Sequence, residues 1–309
     1  MNTRPETVIE VSNLVKAYGN VKAVNQISFA VAKGEVFGLL GPNGAGKTTA
    51  VEIIEGLRTA DAGMVTVLGM DVSKDVRSIK ERIGIQPQQP ALFPTLTVQE
   101  IVNFFRSMYK KSNSASQIIE LVSLQESRKV LFKSLSGGQQ QRLSVALAFV
   151  NNPDIVFLDE PTTGLDPQAR RAMWEVIWAF RRTGKTVFLT THFMEEAERL
   201  CDRVAIMDYG QIIALESPQR MIDEHIREST IQFKMTNCPN PEALAKLTGV
   251  TKVVNEGDEI ILQTNNIPSS ISALLELASA RSSKLSELFV RQATLEDVFL
   301  KLTGKRIRD

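Results

Sequence analysis

The apolar positions of this chain fall into short runs, and the period of each run predicts the element that carries it. Val8-Ile9-Glu10-Val11, Val21 to Val24 and Ile27-Ser28-Phe29 are β-like runs separated by Gly19-Asn20 and closed by Lys33-Gly34, which predicts an antiparallel edge sheet laid before the core. Val36-Phe37-Gly38-Leu39-Leu40 reads as a buried strand, and Ala50, Ile53, Ile54 and Leu57 behind it share one helical face. Met64 to Leu68 and Ile83 to Ile85 read as further strands around the polar segment Asp71 to Arg82. Pro87, Pro90 and Pro94 then break the chain. Thr97 followed by Glu100 is a capping box, with Ile101, Phe104, Phe105 and Met108 at helical spacing after it. Ile118, Ile119, Leu121 and Val122 predict a second helix, so residues 97 to about 127 form an all-helical insertion in an otherwise α/β chain.

The second half repeats the buried-strand signature. Ile155-Val156-Phe157-Leu158 is a continuous apolar run of the kind a parallel strand covered on both faces requires, and Val187-Phe188-Leu189 is another. Between them lies a long helix with Met173, Val176, Ile177 and Phe180 inward and Gly184 as its stop signal. Val204 to Met207 and Gln211 to Leu215, split by Tyr209-Gly210, form a hairpin that finishes the first domain near residue 225. From Thr230 the pattern changes. It predicts a strand at 230–235, a helix near 241–247, and a hairpin through 250–254 and 259–263 turning at Glu256-Gly257-Asp258. A helix carrying Ile271, Leu274, Leu275 and Leu277, a strand at 285–290 and a closing helix at 294–302 follow. The order βαββαβ suggests a small ferredoxin-like unit. Residues 1–225 and 226–309 are therefore expected to be separate domains.

Chemistry concentrates where strands end. Gly41-Pro42-Asn43-Gly44-Ala45-Gly46-Lys47-Thr48-Thr49 fits G-x-x-x-x-G-K-[ST] and sits between a strand and a helix. Its three glycines let backbone N–H groups curl inward around a triphosphate, with the helix N-terminus aimed at the same charge. Lys47 can reach the β- and γ-phosphates, and the Thr48 hydroxyl can ligate Mg²⁺. Leu135-Ser136-Gly137-Gly138-Gln139 precedes the helix of Leu143, Ala146, Leu147 and Val150. It reads as an ordinary N-cap or as a second anion-binding helix start. The 155–158 strand ends in Asp159-Glu160, where open α/β sheets bind ligands; beside such a loop, Asp159 suits the metal shell and Glu160 the attacking water. His192 also ends a core strand, as a structural histidine or a catalytic one, whereas His225 lies in a polar stretch and is expected at the surface. Tyr18, alone before Gly19, is a turn aromatic or a face for adenine to stack on.

Composition narrows the class. The 309 residues are 43% hydrophobic, enough for a large core, and the net charge of +1 gives no sign of a strongly basic nucleic-acid binder, so no nucleic-acid partner is expected. Cys201 and Cys238 have neither metal nor disulfide spacing, which fits a reducing cytosol. No apolar run approaches bilayer length and Met1 to Thr7 lacks a signal core, so a soluble chain is expected that would reach a membrane only through a partner.

Together these motifs resemble the ATP-binding subunit of ABC transporters over about residues 6 to 225. The matching motifs are the loop at 41–49, Gln88 in a proline-flanked lid loop, LSGGQ at 135–139, the 155–161 strand with its acid pair, Gly164-Leu165-Asp166, and His192. The resemblance implies a P-loop NTPase core with an antiparallel β subdomain and a helical subdomain at about 90–150, plus the small α+β C-terminal domain. It implies ATP and Mg²⁺ as cofactors. It also implies a head-to-tail homodimer in which the 41–49 loop of one copy and Ser136, Gly137, Gly138 and Gln139 of the other enclose each ATP, with both sites competent. Asp166 would join the nucleotide site and Tyr18 would stack on adenine. Glu160 would polarise water, His192 would contact the γ-phosphate, and Gln88 would sense Mg²⁺ and link the site to the helical insertion, which would grip an integral membrane permease. The closing Thr294-Leu295-Glu296-Asp297-Val298-Phe299-Leu300 resembles the end of subunits serving drug, antibiotic and lipid exporters with a separate six-helix permease. The chain would then work at the cytoplasmic face of the cell membrane. An importer ATPase shares the core motifs. A soluble, non-transport ATPase of translation or repair would carry two cassettes or long coiled coils, and neither is visible.

Overall fold

In the computed structural model, which describes residues 6–88, 91–226, 229–236, 239–256 and 259–304, the first strands are longer than the apolar runs suggest. β1 (Thr7–Tyr18) and β2 (Val21–Ala32) pair antiparallel across the Gly19-Asn20 turn, with register shifts that interrupt the alternation and so hide their length in the sequence. β3 (Val36–Leu40) is buried along its whole length and leads into α1 (Lys47–Ile54). β4 (Ala62–Val67) and β5 (Met70–Asp71) complete a sheet of order β2-β1-β4-β5. The polar segment after it, for which the sequence predicts no element, is a helix, α2 (Val72–Lys80). Asp71 caps it, and Val72 and Ile79 alone are fully buried, too sparse a signal to stand out in a charged stretch.

β6 (Ile83–Gln86) opens the route to the helical insertion, α3 (Val98–Ser107) and α4 (Ala115–Leu121). The Thr97–Glu100 capping box is formed. Its helix buries Val98, Ile101 and Val102, leaving Phe104 and Met108 exposed. After α5 (Gly137–Leu147) come β7 (Ile155–Asp159), α6 (Pro167–Arg182), β8 (Thr186–Thr191), α7 (Met194–Leu200), β9 (Arg203–Asp208) and β10 (Gln211–Glu216). The second sheet runs β10-β9-β3-β8-β7-β6, parallel except for β10. This order sets the C-terminal ends of β3, β7 and β8 side by side. The two sheets share a core in which Phe29 and Phe37 stack at 5.3 Å and Phe37 meets Phe188 at 5.4 Å. Burying each such ring contributes roughly 2–3 kcal/mol. The α/β class with its antiparallel and helical parts is the one expected from the sequence.

The chain divides into two compact units at Pro218/Gln219, seven residues before the expected boundary at 225, because the residues of α8 (Pro218–His225) beyond Pro218 group with the second unit. His225 is half-buried there, and its carbonyl accepts from Lys301 Nζ at 2.7 Å. β11 (Ser229–Met235), α9 (Pro241–Leu244), β12 (Val250–Glu256), β13 (Glu259–Thr264), α10 (Ile267–Ala280), β14 (Leu285–Arg291) and α11 (Leu295–Thr303) follow. Their sheet has the order β12-β13-β11-β14 with every neighbouring pair antiparallel, a split βαβ arrangement over a core of Ile231, Phe233, Leu262 and Leu274. Pro90, Cys238 and the Gly257-Asp258 turn lie outside the described residues.

Glu55, just past α1, is buried, and its carboxyl is pushed up to about 8, mainly by burial and then by the charges of Asp159 and Glu52, against Lys80. Between its ordinary value of 4.5 and about 8 the folded chain holds a proton that the unfolded chain has released, so stability falls as pH rises through that window. We expect urea midpoints that decline from pH 5 to pH 8, by at most about 1.4 kcal/mol per pH unit from this group, and Glu55→Gln to flatten that decline.

Candidate functional site

The 41–49 loop is fixed by close backbone contact. A Cβ at Gly46 (φ +103) would lie 2.0 Å from the Ala23 carbonyl oxygen, and one at Gly41 2.2 Å from that of Met207. Only glycine fits either place. The turn between β9 and β10 supports the same loop, because Gly210 N–H donates to the Ala45 carbonyl and Gly210's own carbonyl accepts from Asn25 N–H. Lys47 folds back over the loop, its Nζ donating to the Gly41 carbonyl at 2.7 Å and the Pro42 carbonyl at 3.1 Å. Burial pulls its ammonium below the ordinary lysine value, opposed by Glu160 and Asp159. Pro42 and Thr49 are half-buried, whereas Asn43, Gly44 and Thr48 are exposed along the rim of the loop.

Asp159 and Glu160 end β7 facing β8. Register pairs Asp159 with Thr190, and the Thr190 hydroxyl donates to Asp159 Oδ1. Burial nevertheless holds the Asp159 carboxyl above its ordinary value, so a cation beside it would favour the ionised form. Glu160 adopts φ +50, a left-handed conformation uncommon for a side chain of its kind, which breaks the strand and re-aims the carboxylate. There His192 Nδ1 lies 3.2 Å from Oε1, while Gln88 Nε2 at 3.1 Å and Thr163 Oγ1 at 3.2 Å donate to Oε2. Hydrogen bonding from His192 is the main cause that holds Glu160 below its ordinary value. One chain thus gathers Lys47, Asp159, Glu160, Gln88 and His192.

The other expected site residues stand elsewhere or in other roles. Ser136 caps α5, accepting from Gln139 N–H, while Gln139 accepts from Ser136 N–H and donates to Ser127 Oγ. Ser136 and Gly137 are exposed, and Gly138 is half-buried next to the Leu165 and Ala169 side chains. Asp166 caps α6, accepting from Gln168 and Ala169 N–H at 2.9 Å. Tyr18 is 44% exposed, with the Arg58 guanidinium 5.5 Å and Lys16 Nζ 5.8 Å from its ring centre. Sequence reasoning missed Thr190, Thr163 and Gln141, whose Nε2 donates to the Pro161 carbonyl at 3.1 Å and ties α5 to the loop behind Glu160. Only the β7–β8 register would have singled out Thr190.

The residues fit a nucleoside triphosphate with a divalent cation. Gly41 and Gly46 let the loop lie directly against the Met207 and Ala23 carbonyls, Lys47 supplies a partly desolvated ammonium, and Thr48 with Asp159 offers a hydroxyl and a carboxylate. Mg²⁺ bound to phosphates takes few protein ligands of this kind. Among the described residues no cluster of three or more His, Cys, Asp or Glu could hold a metal by itself.

Comparison with known proteins points the same way. A family described as ABC transporter matches residues 24–163. The linearmycin resistance ATP-binding protein LnrL of Bacillus subtilis is 37% identical over 98% of this chain and 100% of its own length. A Nod factor export ATP-binding protein I of Burkholderia orbicola is 39% identical over 97% of this chain and 98% of its own. The dimeric post-hydrolysis structure of the ATP-binding cassette MJ0796 bound to ADP and Pi superposes with a TM-score of 0.63 at 27% identity, covering 68% of this chain and 98% of that one.

Gly46→Ala would drive a methyl group into the Ala23 carbonyl at a backbone angle that alanine resists. We expect it to cost about 2 kcal/mol or more and to lower the thermal midpoint, as calorimetry would register.

Proposed function

The chain belongs to the ABC transporter family, as an ATP-binding subunit that hydrolyses ATP, and from that premise we propose that it drives export through a separate membrane permease. The observation that carries the reading is the convergence of Lys47, Asp159, Glu160, Gln88 and His192 beside a glycine cradle. The relatives' names, linearmycin resistance and Nod factor export, support a drug, antibiotic or lipid-like cargo rather than a small ion. Among the described residues no helix is long and apolar enough to cross a membrane, so translocation requires a partner.

In this reading the loop amides at 41–46 and Lys47 would bind the phosphates, and Thr48, Asp159 and Gln88 would hold Mg²⁺. Mg²⁺ supplies charge neutralisation across the β- and γ-phosphates. Glu160, kept ionised by His192 and aimed by its left-handed backbone, orients the attacking water and draws off its proton. His192 contacts the γ-phosphate, and Tyr18 stacks on adenine. Ser136, Gly137 and Gly138 cap the ATP held by a second copy, a role that their exposure at the start of α5 leaves open to them. Gln139 serves that cap from behind through its bonds to Ser136 and Ser127, and Asp166 through the α6 start. Phe93, Phe104 and Met108 give the helical insertion an exposed apolar surface suited to a permease helix, with Phe93 edge-on to Phe104 at 5.2 Å. The site then lies at the cytoplasmic face of the cell membrane. Among its described residues the second unit carries no such constellation, and we read its role as structural, with dimer contacts or regulation as the functional alternative.

Glu160→Gln is expected to retain ATP and accumulate a nucleotide-locked dimer while turnover drops by roughly two to four orders of magnitude. Near-normal turnover would remove Glu160 from the role of base. Affinity capture from detergent extracts should recover an integral membrane protein, and Phe104→Asp should weaken that capture without changing basal ATP hydrolysis. Recovery of soluble proteins alone would favour a non-transport ATPase.

A further inference from the structure

Away from the acid pair, one buried carboxyl, that of Glu196, gathers polar groups from several segments of the first unit. Glu196 lies in the first turn of α7 and is wholly buried. Its Oε1 accepts from Trp174 Nε1 of α6 at 3.2 Å. The hydroxyls of Thr191 and Thr162 lie against the same carboxyl, and the Arg170 guanidinium is near enough to act on its charge. Thr191 is the last residue of β8, directly before His192. Its oxygen accepts from Phe193 N–H at 3.0 Å, which leaves its proton for Glu196. Thr162 stands two residues after Glu160 in the loop that runs to Asp166. Arg170 also lies 4.4 Å over the Phe193 ring, whose centre is 4.2 Å from that of His192.

One carboxyl therefore touches both segments that leave the sheet beside the site: the turn bearing His192 and the loop following Glu160. An anchor with no other task would be better served by an apolar side chain, because a buried acid carries a desolvation penalty even when it is paired. We propose that Glu196 is a positioning residue that couples the His192 turn to the 161–167 loop, its carboxyl bridging the Thr191 and Thr162 hydroxyls so that a shift of one segment is passed to the other. The inference rests on reading His192 as the γ-phosphate contact. It adds that the histidine's position reaches the loop through α7 as well as through Glu160.

The test uses the full chain, with steady-state ATP hydrolysis and fluorescent-nucleotide binding measured side by side. Glu196→Ala should lower kcat by about 10- to 100-fold with nucleotide affinity held within about twofold. Glu196→Gln, which keeps an acceptor for Trp174 and can donate to Thr162, should recover most of that loss. Adding Glu196→Ala to His192→Ala should cost little beyond His192→Ala alone, because coupled residues do not add. Affinity and turnover falling together in Glu196→Ala, or losses that multiply in the double variant, would overturn the proposal. Should Glu196→Ala not fold, Thr162→Val decides: a kcat lowered several-fold at unchanged affinity supports the coupling, and an unchanged kcat refutes it. Normal turnover in His192→Ala would instead remove the reading of the histidine itself. An impaired His192→Ala beside unimpaired Glu196→Ala and Thr162→Val would remove only the coupling.

Discussion

A lysine ammonium withdrawn from water and set against two carboxylates is the interaction on which the first unit depends. Lys47 is costly to bury as a cation, and Asp159 is costly to bury as an anion; each lowers the cost of the other. Glu160 is balanced separately, by His192 and by the donors of Gln88 and Thr163. A triphosphate entering this arrangement would bring more negative charge than Lys47 alone can offset, and a divalent cation held by Thr48 and Asp159 would make up the difference. The strand order makes the balance possible. With β3 between β8 and β9, and β7 next to β8, three strand ends present the loop, the acid pair and the histidine to one small volume.

The antiparallel sheet contributes rigidity to the same place. Ala23 of β2 closes over Gly46, and the Gly210 turn joins β2 to the loop through Asn25 and Ala45. With Phe29 of β2 stacked on Phe37 of β3, the two sheets form one support under the phosphate cradle. A cradle held from both sides loses little conformational freedom when it binds, so more of the binding free energy remains for affinity.

Much of this was legible in the residues, for identifiable reasons. Buried parallel strands read as unbroken apolar runs, which made β3, β7 and β8 plain, and the motifs at 41–49, 135–139 and 159–160 sit where those runs end. The N-caps at Thr97 and Ser136 are local chemistry, visible within four residues. What escaped was chemistry carried by register or by sparse patterns. The hydrogen bond between Thr190 and Asp159 exists because β7 and β8 pair as they do, and no sequence spacing encodes it. α2 was hidden because two fully buried positions suffice to seat it, and the bulges in β1 and β2 broke the alternation that would have shown their length. The second unit's elements were readable from periodicity, but α9 stops at Leu244 because the chain turns there after a single helical turn.

The left-handed backbone at Glu160 has a consequence for how this chain can change over time. Residues without a bulky Cβ branch, glycine and asparagine above all, occupy that conformation at lower cost, so the position trades of order 1 kcal/mol of folding stability for the direction of one carboxylate. A lineage freed from the need to turn over nucleotide could relieve that strain with asparagine there, giving up the bonds from His192, Gln88 and Thr163 while keeping the fold and the cradle. Degenerate cassettes that grip nucleotide without consuming it are thus a single-residue neighbour of this sequence.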